Sequence, residues 1–250
     1  MTTDLALLVA GAAAGGFVQG ISGFAFGLTA LSFWAWGIEP GLATVMAVFG
    51  GLAGQLFSTA TLRRRPPPAT LLPLLAGALF GIPLGVLLLA ELDAALFKGL
   101  LGALLLVCCP ALLLAGRLPT IATGGRLADA AAGAVGGLLC GVGGVPGIAS
   151  ALWCLLRGYD KDLARAVVQH FNLAALAATF VALIAAGRVT REMLPLFPAV
   201  ALALLLPSAL GARLHAGLGQ AAFRRIVLAL LTASGAAMLV AALPHGGARP

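Results

Sequence analysis

The sequence predicts an all-α integral membrane protein of eight hydrophobic segments in two inverted repeats, with segments 1 and 5 broken or re-entrant at glycine clusters. Three observations carry that prediction. Charged residues are 9% of the 250 and hydrophobic ones 61%, where a soluble domain carries about 25% charge. So little polar surface cannot cover a globule in water. Two apolar stretches outrun the thickness of a bilayer, and each holds a cluster of glycines. The glycine order of the first stretch then recurs in the second at a constant offset of 121 residues. Alanine and leucine dominate, and the alternating ~10-residue segments of a membrane barrel are absent, so the spanning element is the helix.

The apolar segments fall at about 5–36, 41–62, 69–90, 94–116, 127–156, 163–187, 193–212 and 221–243. Six have the ~20 residues that a crossing needs. The first and fifth have thirty or so, which as straight helices would run ~45 Å against a hydrocarbon core of ~30 Å. Segment 1 carries GFVQGISGFAFG (16–27) and segment 5 carries GGLLCGVGGVPG (136–147). Close helix packing through small residues accounts for Gly16 and Gly20 and for Gly133, Gly137 and Gly141, each pair four apart. It leaves over Gly23, Gly27, Gly143, Gly144 and Pro146. Proline lacks an amide hydrogen and suits the start of a helix. Each long segment therefore reads as a helix, a short unwound turn and a second helix. Gly85, by contrast, reads as a glycine of an ordinary span. Trp34 and Trp36 close segment 1 and are expected in the aromatic belt at the membrane interface.

Residues 16–43 align without gaps on 137–164. Gly16, Gly20 and Gly23 fall on Gly137, Gly141 and Gly144; Gly37 falls on Gly158 and Glu39 on Asp160. Later, Leu84-Gly85 recurs as Leu210-Gly211 and Phe97-Lys98 as Phe223-Arg224. The organisation expected is repeat one at 1–116, a linker at 117–125 and repeat two at 126–245. Charge tests the topology independently. If all eight segments cross once, the fifteen Lys and Arg residues split eight to seven between the two sides. If segments 1 and 5 enter and leave on the same side, eleven share one side. Only Lys98, Arg188, Arg191 and Arg249 then lie on the other. That asymmetry is the one expected between a cytoplasmic and an external face. It places both termini outside and RRRPPP (63–68) in the cytoplasm, as a topology anchor before a rigid turn.

The net charge of +7 sits in short loops, which speaks for membrane topology and against nucleic acid. Cys108, Cys109, Cys140 and Cys154 lie in apolar runs without metal-type spacing and read as small buried hydrophobes. The N-terminus has no basic region and Asp4 precedes the apolar run, so this segment is expected to stay on the mature chain.

An unwound turn inside a membrane exposes backbone amides, and the half-helix that follows points its positive dipole end at the same spot. Such backbone is tolerated only where it lines a cavity or is buried in protein. The arrangement can hold a small anion with no cationic side chain. The substrate-binding candidates are Gly20, Ser22 and Gly23 at the first break and Gly141, Gly143 and Gly144 at the second. Intramembrane polar residues join them: Gln19, Gln55, Gln169 and Asn172, with Ser58 at similar depth. Each has an ordinary alternative as an interhelical hydrogen bond. His170 is the candidate for proton coupling, since histidine changes charge nearest neutral pH; the alternative is a packed, hydrogen-bonded ring. No metal site or cofactor is expected. HExxH, GxSxG and paired intramembrane acids are absent, so enzymatic chemistry is not expected, and Asp160 and Asp162 read as helix capping.

The glycine clusters, the eight-segment duplicated plan and the following helix with a polar centre, ARAVVQHFNLAAL, resemble the TauE/SafE-type sulfite exporter family of small bacterial membrane transporters. The resemblance covers nearly the whole chain. It implies a bacterial inner (plasma) membrane with a periplasmic outer face, and cargo such as sulfite, organosulfonates like sulfoacetate, or another small organic acid, exported by alternating access. One departure is GFAFG in the first cluster, where the family more often has further glycines and a proline; Phe24 and Phe26 reshape that half. The partners expected are a small anionic substrate, the lipid bilayer, protons as coupling ion and a second copy in a homodimer. An anion channel, or a non-transporting membrane scaffold or assembly factor, is the alternative.

Overall fold

The computed structural model describes residues 2–60, 65–114, 120–121, 123–215 and 220–242. Among these, the chain forms ten α-helices: α1 (Thr2–Ser22), α2 (Phe26–Trp34), α3 (Pro40–Ala60), α4 (Pro68–Glu91), α5 (Ala94–Leu113), α6 (Gly125–Gly143), α7 (Gly147–Leu156), α8 (Lys161–Ala185), α9 (Leu196–His215) and α10 (Gln220–Ala242). The Arg63-Arg64 half of the basic anchor and the linker residues 117–119 and 122 lie outside the described residues. Six helices are long and apolar enough to cross a bilayer: those within α1, α3, α4, α5 and α8, and the stretch Arg191–Arg213 that includes most of α9. Gly147–Leu156 and Val227–Ala242 are shorter apolar helices. Each of the eight expected segments is helical among the described residues, segments 1 and 5 as two helices each. Helix α6 is not among the six because its sequence is alanine- and glycine-rich and carries Arg126 and Asp129.

Both over-long segments are interrupted at their glycines. Helix α1 ends at Ser22, and Gly23 has φ +83°. Helix α6 ends in Gly144, with φ +64° and ψ 31°, and α7 begins directly after Pro146. Left-handed backbone costs an L-residue with a β-carbon and costs glycine little, which is why these two positions end their helices. In each case the second helix folds back along the first. Trp34 Nε1, at the end of α2, donates to the carbonyl of Leu8 near the start of α1 (3.1 Å). At the other hairpin, Trp153 Nε1 on α7 and Arg157 directly after it donate to Asp129 Oδ1 on α6, at 2.8 Å from Trp153 and from Arg157 Nη2. Trp34 is thus a fully buried core residue, not an interfacial one. Its ring lies over Gly11 and meets Phe26 edge-on at 6.1 Å. Trp36 is 49% exposed, with Lys98 Nζ 4.8 Å from its ring centre.

The hairpins pack across the chain. Helix α1 lies along α9, α6 along α4, α5 along α10 and α3 against α8. Small residues permit the first two contacts. A β-carbon on Gly16 would fall 2.5 Å from the Leu204 carbonyl oxygen, and one on Gly20 would strike that of Ser208. On α6, a β-carbon on Gly137 would strike the Ala78 carbonyl oxygen, and one on Gly141 would fall 2.6 Å from that of Ile82. Gly85 is a packing position too, not an open one: its backbone lies against Leu138 and Gly141. Its partner in sequence, Gly211, lies against Phe17 and Gly20. The acids after each hairpin act alike. Glu39 accepts from the amides of Gly41 and Leu42 (2.9 Å each), and Asp160 from those of Asp162 and Leu163 (3.0 and 2.9 Å). Outward faces are apolar, as a lipid-facing surface requires: Phe80 and Leu206 are 78% and 76% exposed. The four cysteines are free, with Cys108 half-buried and the others buried.

Candidate functional site

The site is built where the two breaks meet. The chain turns back after Gly23 and after Gly144, and neither α2 nor α7 receives a side-chain cap on its first-turn amides. Those amides are the groups that an α-helix cannot satisfy internally. The breaks touch. A β-carbon on Gly27 would fall 2.5 Å from the Gly144 carbonyl oxygen, and one on Gly147 would fall 2.8 Å from Phe24 Cδ2. Phe24 thus packs over the start of α7, the place where the sequence departs from a glycine-rich pattern.

Helix α8 supplies the polar side chains. Gln169 is 2% exposed, and neither its Nε2 nor its Oε1 has a hydrogen-bond partner. A β-carbon on Gly23 would fall 2.8 Å from this Nε2, so the amide stands directly against the first break. Asn172 is 1% exposed and takes the second break. Its Nδ2 would be 2.9 Å from a β-carbon on Gly147, and its Oδ1 accepts from Ser150 Oγ at 3.4 Å. Helix α3 closes the far side. Gln55 Nε2 donates to the backbone oxygen of Gln169 (3.2 Å). Gln19 Nε2 reaches the Gly51 oxygen at 3.4 Å, while its Oε1 is unpartnered. Thr44 Oγ1 donates to the Val142 oxygen (2.7 Å), holding the end of α6 beside its break. The groups gathered here are neutral amides, hydroxyls and backbone. An unpaired buried amide costs about 1–3 kcal/mol, and Gln169 leaves both ends of its amide unpaired.

The structure therefore brings together Gln19, Gly23, Gln55, Gln169 and Asn172. The other candidates make different contacts. Gly20 and Gly141 lie on the packing faces toward α9 and α4. Gly143 faces Leu31, and Gly144 is pressed on Ala47 and Val48 of α3. Ser22 is exposed, and its Oγ accepts from the amides of Phe24 and Ala25 (3.4 and 3.3 Å), bracing the unwound turn. His170 is half-buried with Nδ1 2.9 Å from the Ala166 carbonyl oxygen of its own helix. Ser58 is half-buried near the end of α3. Sequence reasoning missed Gly147 and Ser150. A serine one turn into the short apolar helix after Pro146 was the available signal.

The fold is that of a multi-pass helical membrane protein in which two interrupted hairpins bring uncapped helix starts and unpartnered amides together. The family model for the sulfite exporter TauE/SafE family matches residues 7–238, and the chain belongs to that family. No curated protein and no solved structure matches the chain.

Proposed function

We propose that this protein is a secondary transporter that exports a small anion, such as sulfite, an organosulfonate or a related organic acid, by alternating access between two inverted repeats. The observation that carries the reading is the Gln169 amide, buried and unpartnered against the left-handed turn at Gly23. A site that holds such a group without a protein partner is suited to a guest that supplies one. An anion accepts from amide Nε2 and from helix-start N–H groups, and a helix N-terminus favours negative charge.

The matched packing of α1 on α9 and α6 on α4 supports the inverted halves, 1–116 and 126–245, joined through 117–125. It is the pattern expected where a pseudo-two-fold axis lies in the membrane plane. The back-folded hairpins support segments 1 and 5 entering and leaving on one face, and hence both termini in the periplasm. His170 carries the proton-coupling proposal, one position along α8 from Gln169, and a homodimer is proposed with it. The test is flux and binding by the purified protein. Sulfite, sulfoacetate and acetate are titrated in detergent and then followed in proteoliposomes with an imposed pH gradient. Saturable binding of at least one, with movement against its gradient, is expected. Passive, non-concentrative flux would make the protein a channel, and no binding would sink the anion site.

A further inference from the structure

Phe24 belongs to two environments at once. On one side its ring lies on Gly147, where the Asn172 amide also converges. On the other it lines a cavity of about 120 Å³ between the first hairpin and helices α5 and α10. That cavity starts at the unwound turn itself, with Ser22, Phe24 and Ala25 in its wall. The rest is aliphatic, including Ile21, Leu28, Leu228 and Leu231. Its aliphatic walls are buried, Ile21 and Leu228 each to 7% exposure and Leu28 and Leu231 to 3% and 4%, while Ser22 in the same wall is exposed. At the ~30 Å³ that a water-sized group takes in a liquid, it has room for about four methylene groups.

The two breaks also differ in what faces them. Gly23 meets the Gln169 amide, whereas Gly144 meets Val48, the residue that corresponds to Gln169 at the offset of 121. The unpartnered Gln169 amide stands on the Gly23 side, and the apolar space opens from that same turn. Resting on the anion-site reading above, we infer that the transported anion is amphipathic. Its charged head lies against Gln169 and Asn172, and an apolar tail of about four carbons runs past Phe24 into this cavity. Phe24 is the partition that the tail displaces. A bare oxyanion fills the head position alone and leaves the cavity unused.

The test is a homologous series of linear alkanesulfonates, methane- to hexanesulfonate, titrated by calorimetry into the purified full-length protein. Affinity is expected to rise about fourfold per added methylene until the cavity is full, and then to fall. Leu231→Trp, which fills the cavity, should flatten the series while leaving methanesulfonate affinity unchanged. Leu228→Ala, which enlarges it, should move the optimum to a longer chain and keeps the test open if the tryptophan variant does not fold. Measurable methanesulfonate binding with no dependence on chain length would overturn this inference and leave the anion site standing. So would a copurifying lipid chain found in the cavity with the same flat series. Failure of every member of the series to bind would overturn the anion site and this inference together.

Discussion

Arg157 Nη2 donates to Asp129 Oδ1 at 2.8 Å, joining the last turn of α7 to the first turns of α6. The same guanidinium reaches back to the carbonyls of Thr123 and Gly125 (3.3 and 2.9 Å) and lies 5.2 Å from the Trp153 ring centre. Both side chains are nearly buried, at 12% and 10% exposure. One ion pair thus closes the open end of the second hairpin, where the first hairpin has the Trp34 indole N–H on the Leu8 carbonyl.

That pair has a spectroscopic reporter. Tyr159, the single tyrosine of the chain, lies in the loop after α7. Its phenol is pushed up from the ordinary value by burial first and then by the Asp129 carboxylate, with Arg157 opposing. Asp129→Asn removes the negative charge, so Tyr159 should titrate at lower pH in that variant. Near-ultraviolet absorbance against pH reads this directly. An unmoved or raised titration would mean that Asp129 does not act on this loop. The same variant should unfold at lower temperature, since removing one partner of a buried pair strands the other at a cost of about 3–5 kcal/mol.

Gln169→Leu is predicted to keep the fold and lose the anion. The leucine is close in volume and removes the amide that has no protein partner, so the unfolding temperature should hold or rise. A hydrogen bond to an ion contributes about 1.5–3 kcal/mol, which is about a 10- to 100-fold loss in affinity. Calorimetry on monodisperse protein is the measurement. Anion affinity equal to the parent would remove Gln169 from the site.

Glycines at different helix contacts should prove unequal: Gly77 lies between α4 and α6, and Gly99 between α5 and α10. A β-carbon on Gly77 would strike the Ala130 carbonyl oxygen, whereas one on Gly99 would meet only the Ala242 side chain at 3.5 Å. Gly77→Ala should therefore cost about 1–3 kcal/mol by overpacking. Gly99→Ala should be neutral or slightly stabilising, by the helix preference of alanine over glycine. Unfolding in graded denaturant on both variants compares them, and equal effects would contradict the packing described.

Topology is checked by labelling. Single cysteines at position 3, at 66 and at 247, in a background lacking the four native ones, should react with an impermeant thiol reagent in whole cells only at 3 and 247. Labelling of one terminus without the other would break the inverted arrangement.

His170→Gln should abolish dependence of flux on a pH gradient while anion binding persists, because the ring is the titratable group closest in sequence to Gln169. Retained pH dependence would leave His170 with its bond to the Ala166 carbonyl as a packing residue.

Much of this was legible because membranes make few demands and make them strictly. Apolar run lengths placed the helices, and glycines in excess of what packing needs placed both breaks. Gln169 and Asn172 stood out as polar groups in an apolar helix. Side-chain direction was not legible. Gly20 and Gly141 sit within a turn or so of the breaks yet face neighbouring backbones, because helical phase carries them off the site. Trp34 looked like an interfacial pair with Trp36, but only a bulky ring with one donor could cover Gly11 and cap the Leu8 carbonyl. Gly85 looked unremarkable because the demand for a missing β-carbon comes from α6, which is distant in sequence.

The long-range pairing of α1 with α9 and of α4 with α6 also bears on how the chain is made. When a ribosome delivers the first half, α1 emerges with its small-residue face uncovered, and its partner is still nearly two hundred residues from synthesis. The first hairpin must wait in the bilayer, held meanwhile by its own Trp34–Leu8 closure and by α3. Neither half can reach its final form alone. A gene cut at the linker should yield two fragments that are each degraded when made singly, and that survive when made together.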